Sequence, residues 1–375
     1  MAAARKAGPW NGVDSLILGM IVFLMVAGLI AVFASSPAAA PQNQGAFYYL
    51  YRQLAFAGAG VGLLAVFSLL SPAGVRRVAA LVLLGSLVLM IVVLIAGLDV
   101  KGATRWIRLG GMQLQPSEFF KPAFIVIAAW LITEEDNGAP VWGRFAAIAI
   151  FCFAAVLLWL QPDFGQIALL AIILAGMLWI SGLNLRLTAA LTGAGALLGA
   201  AALTFLPHVR RRLMEFIAPA EPGAGWTQSE KALEAINRGG LFGAGVGEGR
   251  IKHDLPEAHN DYIFSVATEE YGLLFSLSVI AAYLILLAAI WSRAMHLRDP
   301  FVRLASAGLA LLFGMQAVIN IAVNLNLVPS TGMTLPFISY GGSSMLSLSF
   351  AAGLILALTR QRPGAYETVA SRRYA

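Results

Sequence analysis

The stretch "LPEAHNDYIFSVATEEYG", residues 255–272, places Glu257, His259, Asp261, Glu269 and Glu270 in a chain that is otherwise mostly apolar. Asp261, Ser265 and Glu269 recur every fourth residue, so a helix starting near Asp261 sets them on one stripe. A carboxylate inside a membrane costs free energy unless a partner or a reaction uses it, which makes Glu269 and Glu270 functional candidates by position. Asp261 reads as a helix N-cap or as a site residue. A second cluster is "GATRWIRLGGMQLQPSEFFKP", residues 102–122. Gly110-Gly111 marks a turn, and Pro116-Ser117-Glu118 opens a helix with the carboxylate near the positive dipole end. Lys121, one turn further, costs about 2.5–3.5 kcal/mol at mid-bilayer, less where it snorkels; Glu118 three residues back could pair with it as a purely structural ion pair, or both belong to a site. Arg105 beside Trp106 is an interface anchor or an anion ligand. In "WLQPDFGQ", residues 159–166, Asp163 sits between two apolar runs, as a turn residue capping the next helix or as a site residue. In "NIAVNLNLVPSTGMTLPFISYGGSSML", residues 320–346, the Pro, Gly-Gly and paired Ser suit a loop lining a cavity. Asn320 and Asn324 are suited to linking helices.

Other chemistries lack their signatures. There is no His-Glu-x-x-His, no phosphate-binding GxxxxGK[ST] and no G-x-S-x-G elbow. The glycine-rich "GAGVGEG", residues 243–249, precedes no βαβ unit. His253 and His259 have no metal-ligand spacing, and the one cysteine, Cys152, rules out a disulfide framework. No residue is assigned to a metal. A divalent cation, magnesium or manganese, is the one cofactor left open.

The elements that must position these clusters are membrane spans. Of the 375 residues, 59% are hydrophobic and 12% charged, about half the charged share of a soluble protein. Runs long enough to cross a hydrocarbon core of about 30 Å lie near residues 15–34, 51–70, 78–98, 119–133, 144–160, 165–181, 187–206, 262–291, 301–327 and 341–360. The expectation is an all-α integral membrane protein, one polytopic domain over residues 1–375, with about ten spans and one large outer loop, 207–260. Leu16–Ala34 is longer than a secretory h-region and reads as a retained first helix. Tyrosines in "FYYLYR" fit an interfacial belt. The short connections favour cytoplasmic termini by their Lys and Arg content. That puts residues 207–260 and the Arg105 loop outside, both basic for that side, and an anionic ligand is the economical partner.

The four motifs, in this order and spacing, resemble the SEDS family (shape, elongation, division and sporulation), over nearly the whole chain. The resemblance implies a peptidoglycan glycosyltransferase that polymerises lipid II on the outer face of the bacterial cytoplasmic (inner) membrane. It implies work alongside a class B penicillin-binding protein and divisome membrane proteins, with no role for nucleic acid. "EAHNDYIF" and "GMTLPFISYGGSS" look more like FtsW, the division member, than RodA, the elongation member. Many FtsW proteins have lysine where this chain has Thr331; a threonine there is more RodA-like, so a RodA-type elongation polymerase is the alternative within the family, and a cationic contact is missing at that position. The family's catalytic aspartate falls on Asp261, with a general base as its implied role. Arg105, Glu118, Lys121, Asp163, Glu257, His259, Ser343 and Ser344 are the implied substrate-binding or supporting residues. A precursor flippase or transporter is the alternative from another class, since it too needs intramembrane charge and broken helices.

Overall fold

The structure of the chain, a computed structural model, describes residues 10, 12–41, 43–100, 103–110, 112–139, 142–184, 186, 193 and 227–361. Helix α1 (Ser15–Ala39) starts where the Asp14 carboxylate accepts N–H bonds from Leu16 and Ile17, satisfying donors that every helix start leaves open. Next come α2 (Tyr48–Ser68) and α3 (Pro72–Ala96), the latter opened by a Ser71 cap and Pro72. A small antiparallel sheet, β1 (Leu98–Val100), β2 (Ala103–Leu109) and β3 (Met112–Leu114), leads into α4 (Pro116–Asp136). Then follow α5 (Gly143–Leu160), α6 (Phe164–Ile180), α7 (Gln228–Gly239), a 3₁₀ turn (Ile251–Asp254), α8 (Ile263–Met295), α9 (Pro300–Asn324) and α10 (Gly342–Thr359).

Eight of these helices are long and apolar enough to cross a membrane, and α6 is a shorter apolar helix. The span expected near 187–206 lies, apart from residue 193, outside the described residues, and every other expected span coincides with a helix. The sheet is a departure, because the Arg105 segment reads as a loop in sequence. Leu109 pairs with Met112 across a two-residue turn whose Gly110 has φ +61°, the left-handed geometry that glycine supplies in hairpins. The least exposed spans are α4 and α10, whereas the more apolar α1 and α3 turn broad faces outward. Lipid tails are as apolar as leucine, so in a membrane burial follows polar side chains rather than hydrophobicity.

α8 is two helices. Gly272 has φ +82° and ψ 177°, breaking it between a short half, 263–271, and a long half, 273–295. The segment after α7 satisfies the break. Ala244 and Gly245 donate N–H bonds to the carbonyls of Glu269 and Glu270, and Leu273 and Leu274 donate to those of Gly240 and Leu241. A side chain at Gly272 would strike the backbone of residues 241–243. Gly243 and Gly245 of "GAGVGEG" therefore sit at a helix break. The outer loop 207–260 is largely structured where described. Thr227 and Glu230 form a reciprocal capping box for α7, and α7 lies so close on α8 that a Cβ at Gly239 would be 2.0 Å from the Thr268 carbonyl oxygen. Residues 207–226 lie outside the described residues.

α1 crosses the 331–341 segment at Gly28, where a Cβ would lie 2.0 Å from the Phe337 carbonyl oxygen. Gly28→Ala is expected to cost about 1–3 kcal/mol through forced backbone shifts. Gly19, with nothing within 4 Å of its Cβ direction, is the control. Thermal unfolding in detergent should fall for Gly28→Ala and hold for Gly19→Ala.

Candidate active site

The charged motifs meet at the end of the bundle where α4 begins and α9 ends. Arg105, on β2, donates from Nε to the Gln161 carbonyl at 3.2 Å and from Nη2 to the Pro162 carbonyl. Its Nη1 faces Asp163 Oδ1 at 3.5 Å, and Gln115 Nε2 donates to Asp163 Oδ2 at 3.2 Å. Asp163 does occupy the N-cap position of α6, but its carboxyl group is turned to these two partners. Burial pushes that carboxyl above its ordinary value; Arg105 opposes the shift, Glu118 adds to it, and Lys121 and the Gln166 backbone oppose it. One turn into α4, Lys121 is 1% exposed and donates to Glu118 Oε1 at 2.8 Å. Gln166 Nε2 donates to the same oxygen at 3.0 Å.

The two acids and two bases of this cluster balance to zero. Lys121 brings no net charge, because Glu118 holds it out of water. Arg105 is the cation nearer the surface, its side chain 13% exposed.

The start of α10 ties the cluster to α4. Ser343 Oγ donates to the Gln113 carbonyl at 2.9 Å and accepts from the Gln115 N–H at 3.0 Å. Ser347 Oγ donates to the Glu118 carbonyl at 2.6 Å. Ser344 shares a 2.7 Å hydroxyl–hydroxyl bond with Thr334, which also accepts from Gln316. Ser343 and Ser344 therefore join elements.

Asp261 lies on the other side of residues 331–333. It is half-buried in the turn before α8, which begins at Ile263 rather than at Asp261. Its carbonyl accepts from Asn320 Nδ2 at 3.1 Å and from Asn324 Nδ2 at 2.9 Å. Asn320 Nδ2 also reaches the Met333 carbonyl at 2.7 Å, and Asn324 Oδ1 takes both the N–H and the hydroxyl of Ser265. Ser339 Oγ donates to the Asn260 carbonyl at 2.7 Å, and the Tyr340 N–H donates to the His259 carbonyl at 2.9 Å. The His259 ring stacks on Tyr49 at 4.1 Å between centroids, with Tyr340 against both. Glu257 has φ +61°, the left-handed turn that brings the chain round to Asp261. On the far side, a Cβ at Gly165 would be 3.0 Å from the Thr331 carbonyl oxygen, and one at Gly332 would be 3.9 Å from Arg105 Nη1. Residues 331–333 thus separate the Arg105 cluster from Asp261, with Thr331 where the missing cation would stand.

The structure brings together Asp261, His259 and Glu257 on one side and Arg105, Asp163, Glu118, Lys121 and Ser343 on the other. Glu269 and Glu270 are elsewhere, buried beneath α7. Gln53, whose Nε2 donates to the Ser339 carbonyl at 3.3 Å, Gln115, Gln166, Gln316 and Ser339 were missed, because an uncharged polar residue carries no signal of which neighbour it meets. Tyr49, read as a belt residue, stacks on His259, two residues before Asp261. Among the described residues no group of three or more His, Cys, Asp and Glu could hold a metal, and Asp163 and Glu118 already face cations.

A family model described as a cell cycle protein, FtsW/RodA/SpoVE, matches residues 14–363. The chain belongs to the FtsW/RodA/SpoVE family. It is 44% identical over 360 residues to a Caulobacter vibrioides protein named probable peptidoglycan glycosyltransferase FtsW, covering 95% of this chain and 92% of that one. The fold superposes on a Thermus thermophilus rod shape determining protein, RodA, with TM-score 0.70 and 27% identity, over 94% of this chain and 99% of that one. It also superposes, with TM-score 0.77 and 27% identity, on a chain from a structure described as structural coordination of polymerization and crosslinking by a peptidoglycan synthase complex, over 96% of this chain and 100% of that one. Like its relatives in the FtsW/RodA/SpoVE family, the chain is a multi-pass membrane protein.

Proposed function

We propose that the chain is a peptidoglycan glycosyltransferase that polymerises lipid II into glycan strands for septal synthesis in cell division. The carrying observation is Asp261, half-buried in a turn whose carbonyls are held by Asn320, Asn324 and Ser339, on the other side of residues 331–333 from Arg105. In this reading Asp261 accepts the proton of the acceptor sugar hydroxyl while that oxygen attacks the donor's anomeric carbon. The bond to pyrophosphate breaks with inversion, and its electron pair leaves with the phosphate. Arg105 stabilises that developing charge. The termini are cytoplasmic and the site opens on the outer face of the inner membrane, where the sugars of a lipid-linked donor lie.

A polymerase of this kind needs a crosslinker. The chain has no S-x-x-K, S-D-N and K-T-G set, so the partner is a single-span class B penicillin-binding protein, joined by divisome membrane proteins. The relative described within a peptidoglycan synthase complex supports this.

The test is purified protein with lipid II, with and without that partner, read as glycan chains on a gel. Polymer supports the reading, whereas transbilayer movement of lipid II without polymer supports a flippase and overturns it.

Arg105→Gln is expected to lower polymerisation on the order of 10²-fold, as loss of a transition-state donor does. Arg105→Lys should fail too, because one ammonium cannot span two carbonyls and Asp163 in the fork geometry seen here. If Arg105 were only an interfacial anchor, both variants would keep near-normal rates.

A further inference from the structure

Lys252, Glu269 and Glu270, all buried, cluster together outside the site just described. Glu269 is 1% exposed, and its carboxylate accepts the backbone N–H groups of Arg250 at 2.8 Å, Ile251 at 2.9 Å and Lys252 at 3.3 Å. Glu270, also 1% exposed, pairs with Lys252, which is 2% exposed. The Lys252 ammonium also donates to the Ala34 carbonyl of α1 at 3.2 Å. An ion pair taken out of water is at best weakly stabilising compared with apolar side chains of the same shape. The break in α8 is already sealed by residues 240–245, so sealing it does not account for these charges.

What they do account for is a ring. The backbone runs from residues 250–252 through 253–260 to Asp261, enters the short half of α8, and returns at Glu269 and Glu270 to the residues where it began. Leu255, Ala258, Tyr262 and Val266 fill the ring and pack on Ala34 and Ala232, in a small core of their own. The clamps from α9 and the 331–341 segment grip the carbonyls of residues 259–261. They leave the far end of the ring to Lys252, Glu269 and Glu270.

We propose that Lys252, Glu269 and Glu270 are positioning residues for Asp261, closing this ring so that its carboxylate is held toward the reacting hydroxyl. The proposal rests on the reading of Asp261 as the base. Reactions of this type lose on the order of 10²-fold when a group shifts by about 1 Å.

The experiment uses the full chain with its partner and lipid II, with rates taken per monodisperse, folded protein. K252M/E270Q removes both charges while keeping side-chain volume. It is expected to unfold close to the wild-type temperature, keep KM within about twofold, and lose at least about tenfold in kcat. A structural pin alone would change the yield of folded protein and leave kcat per folded molecule at the wild-type value, which would overturn the proposal. K252Q/E270Q restores a hydrogen bond between the two side chains, and its kcat should fall between the two. If the methionine variant does not fold, K252Q/E270Q decides: reduced kcat at unchanged KM supports positioning, and wild-type kcat overturns it. Asp261→Asn is run alongside. A fully active Asp261→Asn removes the base reading itself, whereas an inactive one beside a wild-type K252M/E270Q removes only the positioning role.

Discussion

Replacing Asp261 with asparagine leaves the bundle folded and lowers glycan synthesis by about 10²- to 10⁴-fold, the usual worth of a general base. The fold is expected to survive because Asn320 and Asn324 hold the carbonyl of residue 261, which asparagine keeps. The short half of α8 is likewise independent of that side chain, beginning at Ile263 with the Ser265 N–H and hydroxyl on Asn324. Asparagine matches aspartate in shape and cannot accept a proton at physiological pH. Size-exclusion profile and thermal unfolding should match wild type while the gel shows no polymer. Glycan synthesis near the wild-type rate in Asp261→Asn would end the assignment.

Lys121→Met is expected to cost about 3–5 kcal/mol of stability, the penalty for stranding one charge of a buried pair. Glu118 is 4% exposed and shares its Oε1 between Lys121 and Gln166, so without the ammonium its charge has only an amide for company. The double variant Glu118→Gln/Lys121→Met removes both charges and should recover most of the loss, because well-packed neutral groups replace a buried pair at little cost. Thermal unfolding of the single and double variants checks this. A single variant as stable as wild type would mean that water reaches Glu118. Full polymerase activity in a stable double variant would confine Glu118 and Lys121 to a supporting role, leaving Arg105 as the cation that meets the substrate.

Much of the fold and part of the site were legible in the amino-acid sequence. Span positions follow from runs of apolar residues, since a backbone crossing lipid must satisfy its own hydrogen bonds and helices do that locally. The Glu118–Lys121 pair follows from i,i+3 spacing, a property of one helix. The break in α8 was not legible. "EEYGLLF" reads as uninterrupted helix, and only the backbone of residues 239–245, supplied from elsewhere, makes Gly272 the end of one helix and the start of another. Glu269 and Glu270 were candidates for chemistry because carboxylates in a span are costly, and that cost is met by Lys252 and three N–H groups. Asp163 looked like a cap, and its partners Arg105 and Gln115 reach it from β2 and the start of α4.

By itself, the sequence determined that the chain crosses the membrane many times and which four motifs hold its polar side chains, because hydropathy and motif spacing are carried by neighbouring residues. Only the tertiary structure decided which charges neutralise one another and which stand at the site. Pairing at 3–4 Å depends on where separate helices end relative to each other, and residues 331–333, set between Arg105 and Asp261, belong to a fourth segment that neither motif could anticipate.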